Sequence, residues 1–114
     1  MARTRLHDVP ENLLEEVARQ HLHDWLMEHA TSLPLQQALR HGAEVILPPD
    51  QIMWIASGRE NGAPTVHVGI FFRSRMPGCA CADDPTPEPE FNEYAELELR
   101  QSPGENVLDI RLVD

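Results

Sequence analysis

Two stretches rich in Ile, Val, Trp and Phe, residues 51–57 and 64–73, flank a short segment that holds Gly58, Asn61 and Gly62. Branched and aromatic residues suit a pleated, half-buried surface. Asn and Gly accept the left-handed backbone angles of a tight turn, so an antiparallel hairpin is expected here. If Trp54 opposes Val68, then Ile52 opposes Ile70 and Ala56 opposes Val66, which gives one face an unbroken apolar set. The opposite face carries Met53, Ile55, His67 and Phe71. It is too apolar for plain solvent exposure, and contact with another element or another subunit is expected.

A second hairpin is expected near the end of the sequence. Residues 94–100 alternate strictly, with Ala95, Leu97 and Leu99 on one side and Tyr94, Glu96, Glu98 and Arg100 on the other. Residues 107–113 alternate likewise, with Leu108, Ile110 and Leu112 inward. Pairing Leu97 with Ile110 also pairs Leu99 with Leu108 and Ala95 with Leu112, and sets Glu96 opposite Arg111 on a wet face. Residues 43–47 are apolar but short, and Pro48-Pro49 follows them, so they read as a linker or edge strand.

Helices are expected before residue 43. Asp8-Val9-Pro10-Glu11 has the form of a helix start, and Leu14, Val17, Ala18, Leu22 and Trp25 recur at helical spacing down to about Ala30. Thr31-Ser32-Leu33-Pro34 interrupts that helix and caps a short second one bearing Leu35, Ala38 and Leu39, which Gly42 ends. Between the two hairpins, Pro77, Pro85, Pro87 and Pro89 alternate with acidic residues, and residues 77–93 read as an extended, solvated loop. The expected architecture is therefore a single α+β domain over 1–114: an N-terminal helical hairpin packed on a roughly four-stranded antiparallel sheet of two β-hairpins.

A chain of 114 residues has room for one core. Nineteen acidic against nine basic residues give a formal charge of -10, which repels phosphate backbones and anionic membranes and leaves solubility, a basic protein partner or mimicry of nucleic acid as its use. No apolar run approaches the roughly 20 residues needed to cross a bilayer, and the first residues lead into no apolar signal segment. A cytoplasmic location is expected, with Cys79 and Cys81 as reduced thiols.

Cys79-x-Cys81 is the most unusual local pattern, because two thiolates one residue apart suit one soft metal ion such as zinc. It supplies half of a site, and His67 is the nearest plausible third ligand. Asp83 and Asp84 raise rather than lower the neighbouring thiol pKa values, which argues against an activated nucleophile. His21, His23 and His29 do not converge, since residues two apart on a helix point away from each other and eight residues of helix span about 12 Å. No nucleophile elbow, phosphate loop or His-Glu-x-x-His sequence occurs. The expected role is a non-enzymatic protein-interaction or ligand-binding module, a homodimer joined through Met53, Ile55, His67 and Phe71. The alternative is a zinc-binding protein built on Cys79, Cys81 and His67.

Overall fold

A computed structural model describes residues 3–10, 12–76, 89–102 and 106–113. Five antiparallel strands and one α-helix follow in the order β1 (Arg3–His7), α1 (Arg19–Glu28), β2 (Glu44–Glu60), β3 (Ala63–Arg75), β4 (Glu90–Gln101) and β5 (Val107–Val113). Short 3-10 turns lie at Glu16–Ala18, Ala30–Ser32 and Gln36–Ala38. The strands form one sheet in the spatial order β1-β5-β4-β3-β2, so β2 and β1 are its edges.

Both expected hairpins form, with shifted registers. The β2–β3 turn is made by Asn61 and Gly62, both left-handed at φ 52° and 83°, as a two-residue hairpin turn requires. Trp54 opposes Val68 and Ile52 opposes Ile70, but the register slips at Ile55, so Ala56 faces His67 and Ser57 faces Val66. One inserted residue of this kind is a β-bulge, and it breaks the alternation that a sequence argument extrapolates. In the second hairpin Leu97 opposes Leu112, Leu99 opposes Ile110 and Glu98 opposes Arg111. This register differs by two residues from the expected one, so every side chain keeps its face.

The helical hairpin does not form, and the sheet has five strands rather than four. Asp8 and Asn12 adopt left-handed angles, φ 58° and 60°, which a right-handed helix cannot pass through. The Val9 N–H instead donates to Asn106 O at 3.0 Å, tying this segment to the start of β5 while Val9, Leu13 and Leu14 fill the core from irregular backbone. Helix starts only at Arg19, and Val17, expected on its buried stripe, is 92% exposed. Leu22, Trp25 and Leu26 do supply the buried face. The expected second helix is reduced to the Gln36–Ala38 turn, because Leu39 is already extended at ψ 135°. The fifth strand, β1, pairs with β5 by setting Thr4 and Leu6 opposite Ile110 and Leu108 while Arg5 Nε reaches Asp109 at 3.1 Å.

Among the described residues, α1 and the segments bearing Val9, Leu13, Leu14, Leu33 and Leu35 pack on one face of the sheet. There Val66, Val68, Ile70 and Phe72 of β3 meet Leu97 and Leu99 of β4, Leu108 and Ile110 of β5, and the apolar side of α1 in one continuous core.

Glu93 fixes the segment between the 3-10 turns and β2 to this layer. It was expected in a solvated loop; instead it lies in β4 with 4% of its surface exposed. Residues 90–93 of the expected loop belong to β4, and residues 77–88 lie outside the described residues. The Glu93 carboxylate accepts backbone N–H bonds from Arg40, His41 and Gly42, each at 3.0 Å, and the Ser74 hydroxyl donates to it at 2.6 Å. Burial alone pushes its pKa up, but the hydrogen bonds from Ser74, Gly42, Arg40 and His41 outweigh it and hold the carboxyl at about 2. Successive backbone N–H groups turned to one point make an anion cradle, and here the chain supplies the anion.

Gly42 makes that approach sterically feasible. A Cβ there would lie 2.7 Å from Ser74 Cβ, closer than atoms pack, and 3.1 Å from the Arg75 amide nitrogen, a tight contact. Gly42→Ala is therefore expected to destabilise the chain by about 2 kcal/mol, as overpacking of a tight site does. Urea denaturation checks this, with Gly58→Ala as the control, since a Cβ at Gly58 meets only Thr65 Oγ1 at an ordinary 3.7 Å.

Candidate functional site: the open face of the sheet

Strand alternation sends every second residue away from the core, onto a face that no described element covers. Gln51, Met53, His67, Gly69, Phe71, Tyr94 and Glu96 project there from the three longest strands. The facing of Phe71 and Tyr94 across β3 and β4 shows that the apolar second face of the first hairpin and the wet face of the second are one surface. This adjacency of the two hairpins is the information that reading each hairpin separately does not supply.

Phe71 and Tyr94 sit at its centre, with ring centroids 4.8 Å apart and planes tilted by 43°. Both are 39% exposed. The Tyr94 ring lies over Gly69, where an added Cβ would come within 2.6 Å of the phenol oxygen. Gly69 opposes Glu96 and stands diagonal to Tyr94 on the neighbouring strand, and the glycine lets the ring cover bare backbone. Burial pushes the Tyr94 phenol above its ordinary pKa, and the negative charge of Glu96 and a hydrogen bond to it add to the effect, so Tyr94 is neutral and donates. Glu96 Oε1 lies 3.6 Å from His67 Nε2, within ion-pair distance but beyond a hydrogen bond.

The charge of this face differs from that of the chain. Arg3, Arg5, Arg73, Arg75, Arg100 and Arg111 all project from it, six of the nine basic residues. Most are matched locally: Arg111 meets Glu98 at 2.6 Å, Arg73 meets Glu90 at 3.1 Å and Asp50 at 3.3 Å, and Arg75 meets Glu44 at 3.1 Å. With Asp109 beside Arg5 and Glu96 beside His67, six carboxylates share the face with the six guanidinium groups. The body of the face is close to neutral, and most of the charge of -10 therefore lies elsewhere.

Two buried side-chain polar atoms lack a hydrogen-bond partner among the described residues, His67 Nε2 and Arg100 Nε, and both belong to this face. Unpaired buried polar atoms are few in folded proteins because each one left without a partner costs about 1–3 kcal/mol.

Of the residues that the sequence singles out, Met53, His67 and Phe71 do share this face, and Ile55 occupies the bulge of β2 beside them, 43% exposed. Tyr94, Arg100 and Arg111, expected on the wet side of the second hairpin, complete the surface together with Gly69, Arg3, Arg5, Arg73 and Arg75, which the sequence did not single out. Cys79 and Cys81 lie outside the described residues. His67 stands eight residues along β3 from Arg75, after which the segment holding both cysteines begins; at about 3.3 Å per residue this is roughly 26 Å. Among the described residues no three His, Cys, Asp or Glu side chains group as metal ligands. The remaining histidines stay apart: His29 stacks on Trp25 at 4.1 Å and His23 contacts Asp24 at 3.2 Å. No helix among the described residues is long and apolar enough to cross a membrane. Comparison of the chain with protein-family models, curated proteins and solved structures finds no match.

Proposed function

We propose that the chain is a non-enzymatic protein-interaction module that works as a homodimer, two copies meeting through the open faces of their sheets. The observation that carries this reading is the Phe71–Tyr94 pair, half-exposed at the centre of a face that nothing else in the described chain covers. Aromatic residues and arginine are the side chains enriched at protein interfaces, and this surface combines them. The charge balance favours a second copy over a basic partner. Two chains of net charge -10 repel each other over most of their surface, whereas a face of six arginines interleaved with six carboxylates meets its own copy without that penalty. The reading places the protein in the cytoplasm, with no direct contact to nucleic acid or membrane.

Native mass spectrometry of the full chain from reducing buffer tests both this proposal and the zinc alternative in one spectrum. The expected result is a metal-free dimer at micromolar concentration. A monomer at tens of micromolar contradicts the proposal, and retained zinc that is lost on Cys79→Ser moves the alternative to first place.

A further inference from the structure

On the opposite side of the sheet, α1 and the β2–β3 hairpin leave a cleft of about 190 Å³ between them. Leu22 and Leu26 of the helix and Ile52, Trp54 and Val68 of the sheet form its apolar walls, and Arg19, Gln20 and His23 form its rim. Among the described residues no carboxylate lines it, although acidic residues outnumber basic ones nineteen to nine in the chain; the Asp24 carboxylate accepts from Gln20 Nε2 at 3.0 Å and lies 3.2 Å from His23 Nδ1, so Arg19 is the rim group left to meet an anionic head. The Arg19 guanidinium lies 4.9 Å above the Trp54 ring. Among the described residues its one carboxylate contact is Glu16, at 3.6 Å and exposed on both sides, an ion pair too solvated to contribute much.

We infer that this cleft binds a small carboxylate carrying one aromatic ring. The volume sets the size: a cavity of roughly 150 Å³ accommodates benzene, so about 190 Å³ takes a single ring with a short arm and excludes larger cofactors. The walls set the chemistry of the body, since they offer aliphatic side chains and one indole and bury no fixed charge. The rim sets the chemistry of the head. A guanidinium held in place by an aromatic ring presents parallel N–H groups, the geometry that a carboxylate accepts two at a time. An ammonium head meets the same guanidinium with the wrong sign. This site lies on the helical side of the sheet, away from the face assigned to the dimer, so the two assignments stand or fall separately.

The test is titration of the full-length protein with 3-phenylpropionate, followed through the Trp54 indole N–H and the amides of α1 by NMR. The matched amine, 3-phenylpropylamine, is titrated in parallel, and both are repeated on Arg19→Gln, whose amide spectrum reports that it is folded. The expected result is saturable binding with Kd below about 5 mM, a range suited to a fragment of this size. The Trp54 signal moves, and the amine and the Arg19→Gln variant each bind at least fivefold more weakly. A fitted Kd above about 5 mM, an unmoved Trp54 signal, or a weakening of less than fivefold for either the amine or the variant overturns the assignment.

Discussion

Glu93→Gln is expected to lower the stability of the folded chain by roughly 3 kcal/mol at neutral pH, which follows from the distance between a folded pKa of about 2 and the ordinary 4.5. The side chain of glutamine stands in for the protonated acid. It keeps one oxygen but presents an NH2 group to a site that offers four donors, the N–H groups of Arg40, His41 and Gly42 and the hydroxyl of Ser74. Hydrogen bonds to a buried carboxylate are among the stronger ones, and their donors lose a charged acceptor all at once. For a chain of this length the loss corresponds to a fall in Tm of about 10 °C.

The pH dependence has a definite sign. Because the folded state holds the Glu93 proton less tightly than the unfolded chain does, its contribution is complete above about pH 4.5 and fades as pH falls from there towards about 2. The difference in unfolding free energy between wild type and Glu93→Gln should therefore be constant from pH 7 to 5 and shrink below. Urea denaturation of both proteins across this range measures it. Glu90→Gln provides the comparison: its partner is Arg73 in an exposed pair, and its loss is expected to change stability by less than about 1 kcal/mol. A Glu93 difference no larger than that, or one that does not shrink in acid, contradicts the assignment of Glu93 as the clamp.

For the dimer proposed above, Phe71→Asp is expected to give a monomer that remains folded. Phe71 is 39% exposed in the single chain, so its contribution to the core is small. In the dimer each copy loses an aromatic anchor and gains a charge beside Glu96 and Tyr94. Truncating a central aromatic residue at an interface costs about 2–4 kcal/mol, and a twofold interface contains it twice, so the dissociation constant should rise by at least about a thousandfold. Sedimentation velocity reads the association and far-UV circular dichroism reads the fold. A dimer that survives the substitution moves the interface elsewhere.

The alternation of residues 94–100 and 107–113 made the inward and outward sides of β4 and β5 legible, because a period of two survives any even shift of register. For the same reason the sequence could not distinguish Leu97 opposite Leu112 from Leu97 opposite Ile110. Asn61-Gly62 marked the first hairpin correctly, and the bulge at Ile55 escaped notice because its neighbours are as apolar as a regular strand. Helical spacing misled at the beginning. Leu13 and Leu14 are buried, but by irregular backbone that Asp8 and Asn12 bend through left-handed angles, and the resemblance of Asp8 to a helix cap concealed that. Thr4 and Leu6 alternate with three basic side chains over only five residues, too short a pattern to show a strand without knowledge of β5.

The candidate site was legible in part. Met53, His67 and Phe71 followed from parity within one hairpin. Tyr94 and the arginines required the pairing of β3 with β4 and of β1 with β5, which is long-range information. Glu93 was hidden by its surroundings, since a glutamate among prolines and other acids reads as solvated until its four donors from distant segments are seen.

Isotope-filtered NMR on a mixture of labelled and unlabelled protein reads directly whether two copies meet through the open faces of their sheets. Intermolecular NOEs are expected from the Met53 methyl and the Phe71 and Tyr94 rings, and none from Trp54 or α1. Intermolecular contacts confined to α1, to Trp54 or to the outer edge of β2, or a complete lack of them at concentrations where the protein is dimeric, would contradict the open-face dimer.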